Sequence, residues 1–379
     1  MQHLGFTRLG NSQGYPLAII HGWGCDSSFL LPLAKMFPER DLYLIDLPGY
    51  GRSAALAPIA SDLSATIYYL INTIPHGADV ISWSFGTLYV LRALSSINNP
   101  CVNLESLAQS VLATPVVKAL TAPPGSKSQG STSQGTRPHC IEHYRIEAPS
   151  KGLSSQLQAE ATTDDCGARA AALAQLADDN AIERTSLLAH QLCHPDAQPF
   201  VRSLVTICGS PRFPSDPNWQ GLSPVKILKC NTEMTPKRLT RLVHLFYRLM
   251  IDERNACPLE REYIHSLIKN TPEVPPEVLM AGIKLVTFLD ERPALEHLDL
   301  PSLHLFGAQD RLVPYELAQQ FSGDPIHHAY VFQHSGHNPY LSEPELFEQV
   351  VRTFYHHVEQ GKVVTFRSFN ASPSLHPSA

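Results

Sequence analysis

The chain has 379 residues, 43% hydrophobic and 17% charged, enough for one large elaborated domain or for two domains. A formal net charge of −6 excludes general nucleic-acid binding, which needs an excess of Lys and Arg. No apolar run approaches a membrane span, and the eight cysteines are scattered without a repeated CxxC.

The opening stretch "MQHLGFTRLG" lacks the basic start and apolar segment of an export signal, so the expectation is a cytoplasmic protein with free thiols and no membrane attachment. Along the chain, six short apolar runs read as buried strands: "PLAII" (16–20), "DLYLIDL" (41–47), "ADVISW" (78–83), "RSLVTIC" (202–208), "PSLHLFG" (301–307) and "HAYVFQ" (328–333). "LYVLRAL", soon after the third run, and "PELFEQVVRTFYHHVEQ" (344–360) have helical periodicity. Strands alternating with helices predict an α/β protein whose mostly parallel sheet is flanked by helices, with its chemistry at the carboxyl ends of the strands.

Two stretches interrupt this alternation. Residues 97–199 form an insertion, partly flexible in "TAPPGSKSQGSTSQGTRPH" and partly helical in the Ala- and Leu-rich segment after it. Residues 216–295 are mostly helical and are placed to form a lid over the carboxyl edge. The expected core is then 1–96, 200–215 and 296–360, with 361–379 as a flexible tail.

The third strand runs into "SWSFGT", where Ser82, Ser84 and Gly86 have the small-x-Ser-x-Gly spacing of a nucleophile elbow. Such a turn passes so sharply from strand to helix that bulky side chains two positions either side would collide. A serine hydroxyl needs a base to take its proton and a carboxylate to orient that base. Asp310 follows the strand at 301–307, and His337 lies in the loop before the last long helix. Ser84, Asp310 and His337 thus occur in the chain order of a serine hydrolase of this fold class. His334 is a rival base that lies closer to the strand. Oxyanion donors are expected from the backbone N–H of Phe85, after the nucleophile, and from the loop "HGWGCDSS" (21–28). There His21 and Gly22 permit a tight turn, and Trp23 turns an N–H inward while its indole walls the pocket.

"HGWG", "DLPGYGRS" (46–53), "SWSFGT", "FGAQDRLVP" and "SGHNPYLSEPELF" resemble the α/β-hydrolase superfamily. Within it, "HGWGCDSSFL", "VRSLVTICGSPRFPSDPNWQGL" and "PEVPPEVLMAGIKLVTFLDERPALEHLDL" look like the pimeloyl-[acyl-carrier protein] methyl ester esterases. That resemblance implies hydrolysis of a methyl ester on a carrier-bound pimeloyl chain in biotin synthesis. It makes Ser84 the nucleophile, His337 the base and Asp310 the orienter, with Trp23 and Phe85 as oxyanion-hole donors and acyl contacts; Phe246 is expected either to line the acyl channel as a substrate contact or to pack in the core. It requires no cofactor and no metal, and an acyl carrier protein as partner to an expected monomer. The sequence departs from the family at Ser82, where the elbow usually has glycine, and in the insertion at 97–199.

An acyl carrier protein is acidic, and the lid is locally basic. Lys226, Lys229, Lys237, Arg238, Arg241 and Arg248 face only Glu233 between residues 226 and 250. On a helix, Lys237, Arg238, Arg241 and Arg248 fall on one arc and Leu239, Leu242, Val243, Phe246, Leu249 and Met250 on the other. The resemblance implies that Arg238 and Arg241 hold the carrier, with Arg254 and Arg261 weaker candidates; a plain solvated helix face is the alternative. "HCIEH" (139–143) has metal-pair spacing without a clear fourth ligand, and Cys25 reads as a packing residue. A broad short-chain carboxylesterase or a C–C bond hydrolase of the same fold is the other enzymatic reading, because pocket shape selects the substrate.

Overall fold

The computed structural model describes residues 3–98, 199–232, 235–251, 256–321 and 324–361. Both the insertion at 97–199, with its "HCIEH" pair, and the tail after 361 fall almost entirely outside the described residues, as do Glu233 and Arg254.

A seven-stranded sheet has the order β1-β3-β2-β4-β5-β6-β7. The strands are β1 (Phe6–Gly10), β2 (Pro16–Ile20), β3 (Asp41–Ile45), β4 (Ala78–Trp83), β5 (Val201–Ile207), β6 (Ser302–Gly307) and β7 (His327–Phe332). All neighbouring pairs are parallel except β1 with β3. The six apolar runs became β2 to β7 because a strand covered on both faces must be apolar at every position. Every residue of β4 and of β6 is buried. β1 escapes a pattern reading because it is an edge strand with three of its five residues exposed.

Helices α1 (Leu63–Thr73), α2 (Gly86–Asn98) and α7 (Pro344–Glu359) cover the sheet. Helix α1 starts where Asp62 accepts a hydrogen bond from Ala65 N, a side-chain cap on an otherwise unpaired amide. The run at 41–47 stops pairing at Ile45 because Asp46 turns to other donors: its carboxylate accepts from Ser27 N at 2.7 Å and Arg52 N at 2.9 Å. This closes the "DLPGYGRS" turn, in which Gly49 has φ 85° and Gly51 has φ 40°, conformations that suit glycine.

Between β5 and β6 lie the helices α3 (Pro224–Thr232), α4 (Pro236–Leu249), α5 (Pro258–Lys269) and α6 (Pro276–Phe288). Helix α4 is capped by Thr235, whose side chain accepts from Arg238 N, and has proline in its first turn. Its two arcs are those expected: Leu239, Val243 and Met250 are buried, whereas Lys237, Arg238, Arg241 and Arg248 are exposed. Tyr247 joins the buried arc, its hydroxyl donating to Gly24 O at 2.5 Å. Further bonds fasten these helices to the core, from Tyr263 Oη to Phe29 O at 2.8 Å and from His337 N to Met250 O at 2.8 Å.

Candidate active site

Ser84 leaves the end of β4 with φ 53°, a left-handed backbone conformation that is strained for any residue but glycine. Its surroundings leave little choice. A side chain at Gly86 would place Cβ 2.6 Å from His21 O, and one at Gly22 would place it 2.8 Å from the Trp83 ring and 3.2 Å from Ser84 Cβ. Ser82 fits the position usually held by glycine because its Oγ pairs with Thr87 Oγ1 at 3.0 Å, across the elbow.

Asp310 follows β6 and His337 follows β7, so both reach the edge where β4 ends. His337 Nδ1 lies 2.7 Å from Asp310 Oδ2, and both side chains are essentially fully buried. The other carboxylate oxygen of Asp310 accepts from Leu312 N at 2.8 Å and Val313 N at 3.1 Å. An ionised carboxylate only accepts, so Nδ1 carries the ring proton and Nε2 holds a lone pair. Nε2 is buried and has no hydrogen-bond partner among the described residues, Ser84 included. Trp83, beside Ser84 in the chain, holds the His337 loop: its Nε1 donates to His337 O at 3.1 Å, and the two ring centres are 5.5 Å apart. The rival His334 is exposed, and its backbone N–H donates to Glu343.

The loop after β2 faces this dyad. Among the described residues, neither the backbone N–H of Trp23 nor that of Phe85 has a hydrogen-bond partner, although both residues are buried. Two unpaired amides in buried residues are the kind of donor that suits a developing oxyanion. His21 is more than a turn residue: its Nδ1 bonds Gly22 O at 2.8 Å and its Nε2 accepts from Leu47 N at 3.0 Å. Burial holds this ring neutral, against the opposing pull of Asp46. The indole of Trp23 donates to Leu279 O on α6 at 2.9 Å. Phe246 on α4 lies edge-on to Trp23, with ring centres 5.4 Å apart, and 6.2 Å from the His337 ring. Helix α4 therefore brings Phe246 beside the dyad, whereas Arg238 and Arg241 lie on its exposed face.

Gly282, Tyr247 and Cys208 are contacts that the sequence pattern did not single out. A glycine inside a helical run often marks a close approach, and at Gly282 a Cβ would lie 2.5 Å from Trp23 Cδ1. Cys208, at the end of β5, has φ 46° and a buried Sγ near Asp310 and His337. A groove of about 530 Å³ between α4 and the 271–279 segment leads to Gly24; Thr240, Val243, Val274 and Leu279 line it. Together the dyad, the strained serine and the two unpaired amides can support acyl transfer through a covalent serine ester.

A family model described as the Alpha/beta hydrolase family matches residues 17–350. The chain is 30% identical over 337 residues to a pimeloyl-[acyl-carrier protein] methyl ester esterase of Vibrio vulnificus, a match covering 88% of this chain and 92% of the relative. A protein of the same description from Vibrio campbellii is 26% identical over 344 residues, covering 90% and 95%. Among solved structures, an esterase from Exiguobacterium antarcticum superposes with a TM-score of 0.56 at 14% identity, over 94% of this chain and 95% of that one. A hydrolase from Oleispira antarctica gives 0.57 at 14% identity, again over 94% and 95%. At such identities these two structures establish a likeness of fold alone.

Proposed function

The chain belongs to the alpha/beta hydrolase family and is a carboxylic ester hydrolase, and from that premise we propose that it removes the methyl ester of pimeloyl-acyl carrier protein in biotin synthesis. The observation that carries the reading is the buried His337–Asp310 pair with its Nε2 unpartnered, at the end of the sheet where β4 delivers Ser84. The match to esterases of that substrate over most of both chains narrows the choice of ester.

In the proposed mechanism, His337 Nε2 takes the Ser84 proton as Oγ attacks the ester carbonyl. The N–H groups of Trp23 and Phe85 receive the negative charge that forms on the carbonyl oxygen. The imidazolium, steadied by Asp310, then protonates the leaving methoxide, and methanol departs. Water attacks the acyl-enzyme with His337 again as base, which returns Ser84 and frees a carboxylate at the end of the acyl chain. Phe246 and Trp23 supply apolar contact to that chain, and the groove reaching Gly24 offers it a way in. Arg238 and Arg241, exposed on α4, present positive charge to the acidic carrier.

The test compares hydrolysis of the carrier-bound methyl ester with that of a free short-chain ester, in the wild type and in an Arg238→Glu/Arg241→Glu variant. Carrier-bound ester is expected to be preferred, and charge reversal to cut its kcat/KM by about tenfold or more while sparing the free ester. Equal use of both esters by both proteins instead indicates a broad carboxylesterase. Restored growth of a biotin-requiring strain lacking its own esterase tests the pathway separately.

A further inference from the structure

Cys208 terminates β5 in a left-handed conformation, φ 46°, which costs free energy in a residue with a Cβ. Its fully buried side chain points toward the acid and base of the proposed mechanism. Sγ, a carboxylate oxygen of Asp310 and a ring nitrogen of His337 all lie within 4.8 Å of one another. The thiol also donates weakly to Gly336 O at 3.8 Å, which holds it against the loop that carries His337.

We propose that Cys208, Asp310 and His337 form an inhibitory binding site for a thiophilic divalent cation, of which Zn²⁺ and Cd²⁺ are the chemical type. A thiolate, a carboxylate and an imidazole are the donor set such ions select, at about 2.3 Å from sulfur and about 2.0–2.2 Å from nitrogen or oxygen. The thiolate and the carboxylate together cancel the charge of the ion, which is what a buried cation requires. A ligand atom from each of the three already lies within 4.8 Å of the others, and the Nδ1–Oδ2 pair, 2.7 Å apart, has only to open slightly to seat an ion at those bond lengths.

Binding balances as follows. The Cys208 thiol proton leaves to solvent as the metal–sulfur bond forms. The metal takes the Nδ1 lone pair of His337 in place of the hydrogen bond to Asp310, and the ring proton moves to Nε2. One proton is released in all, and no electrons are transferred. With Nε2 protonated, the ring has no lone pair left for the Ser84 proton.

The inhibitory half of this inference rests on the proposed roles of Ser84 and His337; the binding half does not, and the experiment separates them. Cd²⁺ is titrated into the full-length wild type, Cys208→Ala and Cys208→Ser, with the ultraviolet absorbance of the metal–thiolate bond and esterase activity read in parallel. Activity is expressed as a fraction of each protein's own metal-free rate. The wild type is expected to gain one thiolate bond more than either variant and to lose more than tenfold of its activity, reversibly with chelator. Mg²⁺ and Ca²⁺ are expected to produce neither effect. Equal absorbance and equal fractional inhibition in all three proteins would overturn the site. Should the variants fail to fold, the rate at which a serine-directed phosphonate labels the wild type is followed as the absorbance saturates. It is expected to fall at least tenfold, and an unchanged rate overturns the inhibition. Metal–thiolate absorbance specific to Cys208 in a protein without esterase activity would refute the hydrolase roles and leave the metal site standing.

Discussion

Trp23 donates its indole N–H to the carbonyl of Leu279 at 2.9 Å, so the loop after β2 is fastened directly to helix α6. The same indole packs so closely over α6 that a Cβ at Gly282 would lie 2.5 Å from its Cδ1 and 2.9 Å from its Nε1. The absence of a side chain at 282 therefore sets where Trp23 sits. In the proposed mechanism the backbone N–H of Trp23 is an oxyanion donor, and misplacing a catalytic group by about 1 Å costs on the order of 10²-fold. Gly282→Ala is expected to lower kcat by about 10- to 100-fold and to shift tryptophan fluorescence, in a protein that still folds. Wild-type kcat in a folded Gly282→Ala enzyme would show that the indole contact does not position the donor.

Asp310 accepts from His337 Nδ1 and from two backbone amides, and so acts as a fixed negative end to the dyad. Asparagine in its place keeps the size and loses the charge, and its amide group favours the wrong imidazole tautomer. Asp310→Asn is expected to lower kcat by about 10³–10⁴-fold, as the same change does in serine proteases, with little change in KM. Ser84→Ala is expected to reduce turnover at least as far and to abolish labelling by a phosphonate. Retained labelling in Ser84→Ala would transfer the nucleophile's role elsewhere.

The parts of this fold that the sequence made legible are those governed by one local rule. Apolar runs with no polar interruption mark β2 to β7, since a strand covered on both faces tolerates nothing else. The arcs of α4 follow from helical spacing alone. β1 was hidden because its half-exposed residues pair only with β3 and leave no run to see. Helix α1, "LSATIYYLINT", is buried nearly all round and so shows no polar face to betray its period. At the candidate site, motif and chain order single out Ser84, Asp310 and His337, and of these the structure hydrogen-bonds Asp310 to His337. Cys208 was not legible: an apolar-looking residue ending a strand carries no sign that two other strands deliver a carboxylate and an imidazole beside it.

Ser82 and Thr87 share a hydroxyl pair at 3.0 Å, and both are buried. The pair spans the elbow, from the last turn of β4 to the first turn of α2. Truncation of one partner leaves the other as a buried polar group with less to bond. Ser82→Ala is expected to cost about 1–2 kcal/mol of stability, and Ser82→Gly about 0.5–1 kcal/mol more through backbone freedom. Urea denaturation midpoints check the order. A Ser82→Gly protein as stable as the wild type would mean that the hydroxyl pair contributes nothing to holding the turn.

Glu260 on α5 is buried, and its carboxylate accepts from Ser342 Oγ at 2.9 Å, joining α5 to the segment that follows His337. Burial raises its pKa from 4.5 to about 7, partly offset by the Ser342 bond. A carboxyl group whose folded-state pKa lies above its unfolded value holds its proton better when folded. Its contribution is then most favourable below about pH 4.5 and is lost as the pH climbs toward 7, because the unfolded chain ionises first. A shift of that size corresponds to about 3 kcal/mol, an order-of-magnitude figure. Glu260→Gln still accepts from Ser342 and cannot ionise. The variant is expected to gain thermal stability over the wild type at pH 8 and to lose that advantage at pH 4.5, read from paired melting curves. Parallel pH profiles for the two proteins would mean that Glu260 ionises at its ordinary pKa, with water reaching it beneath α5.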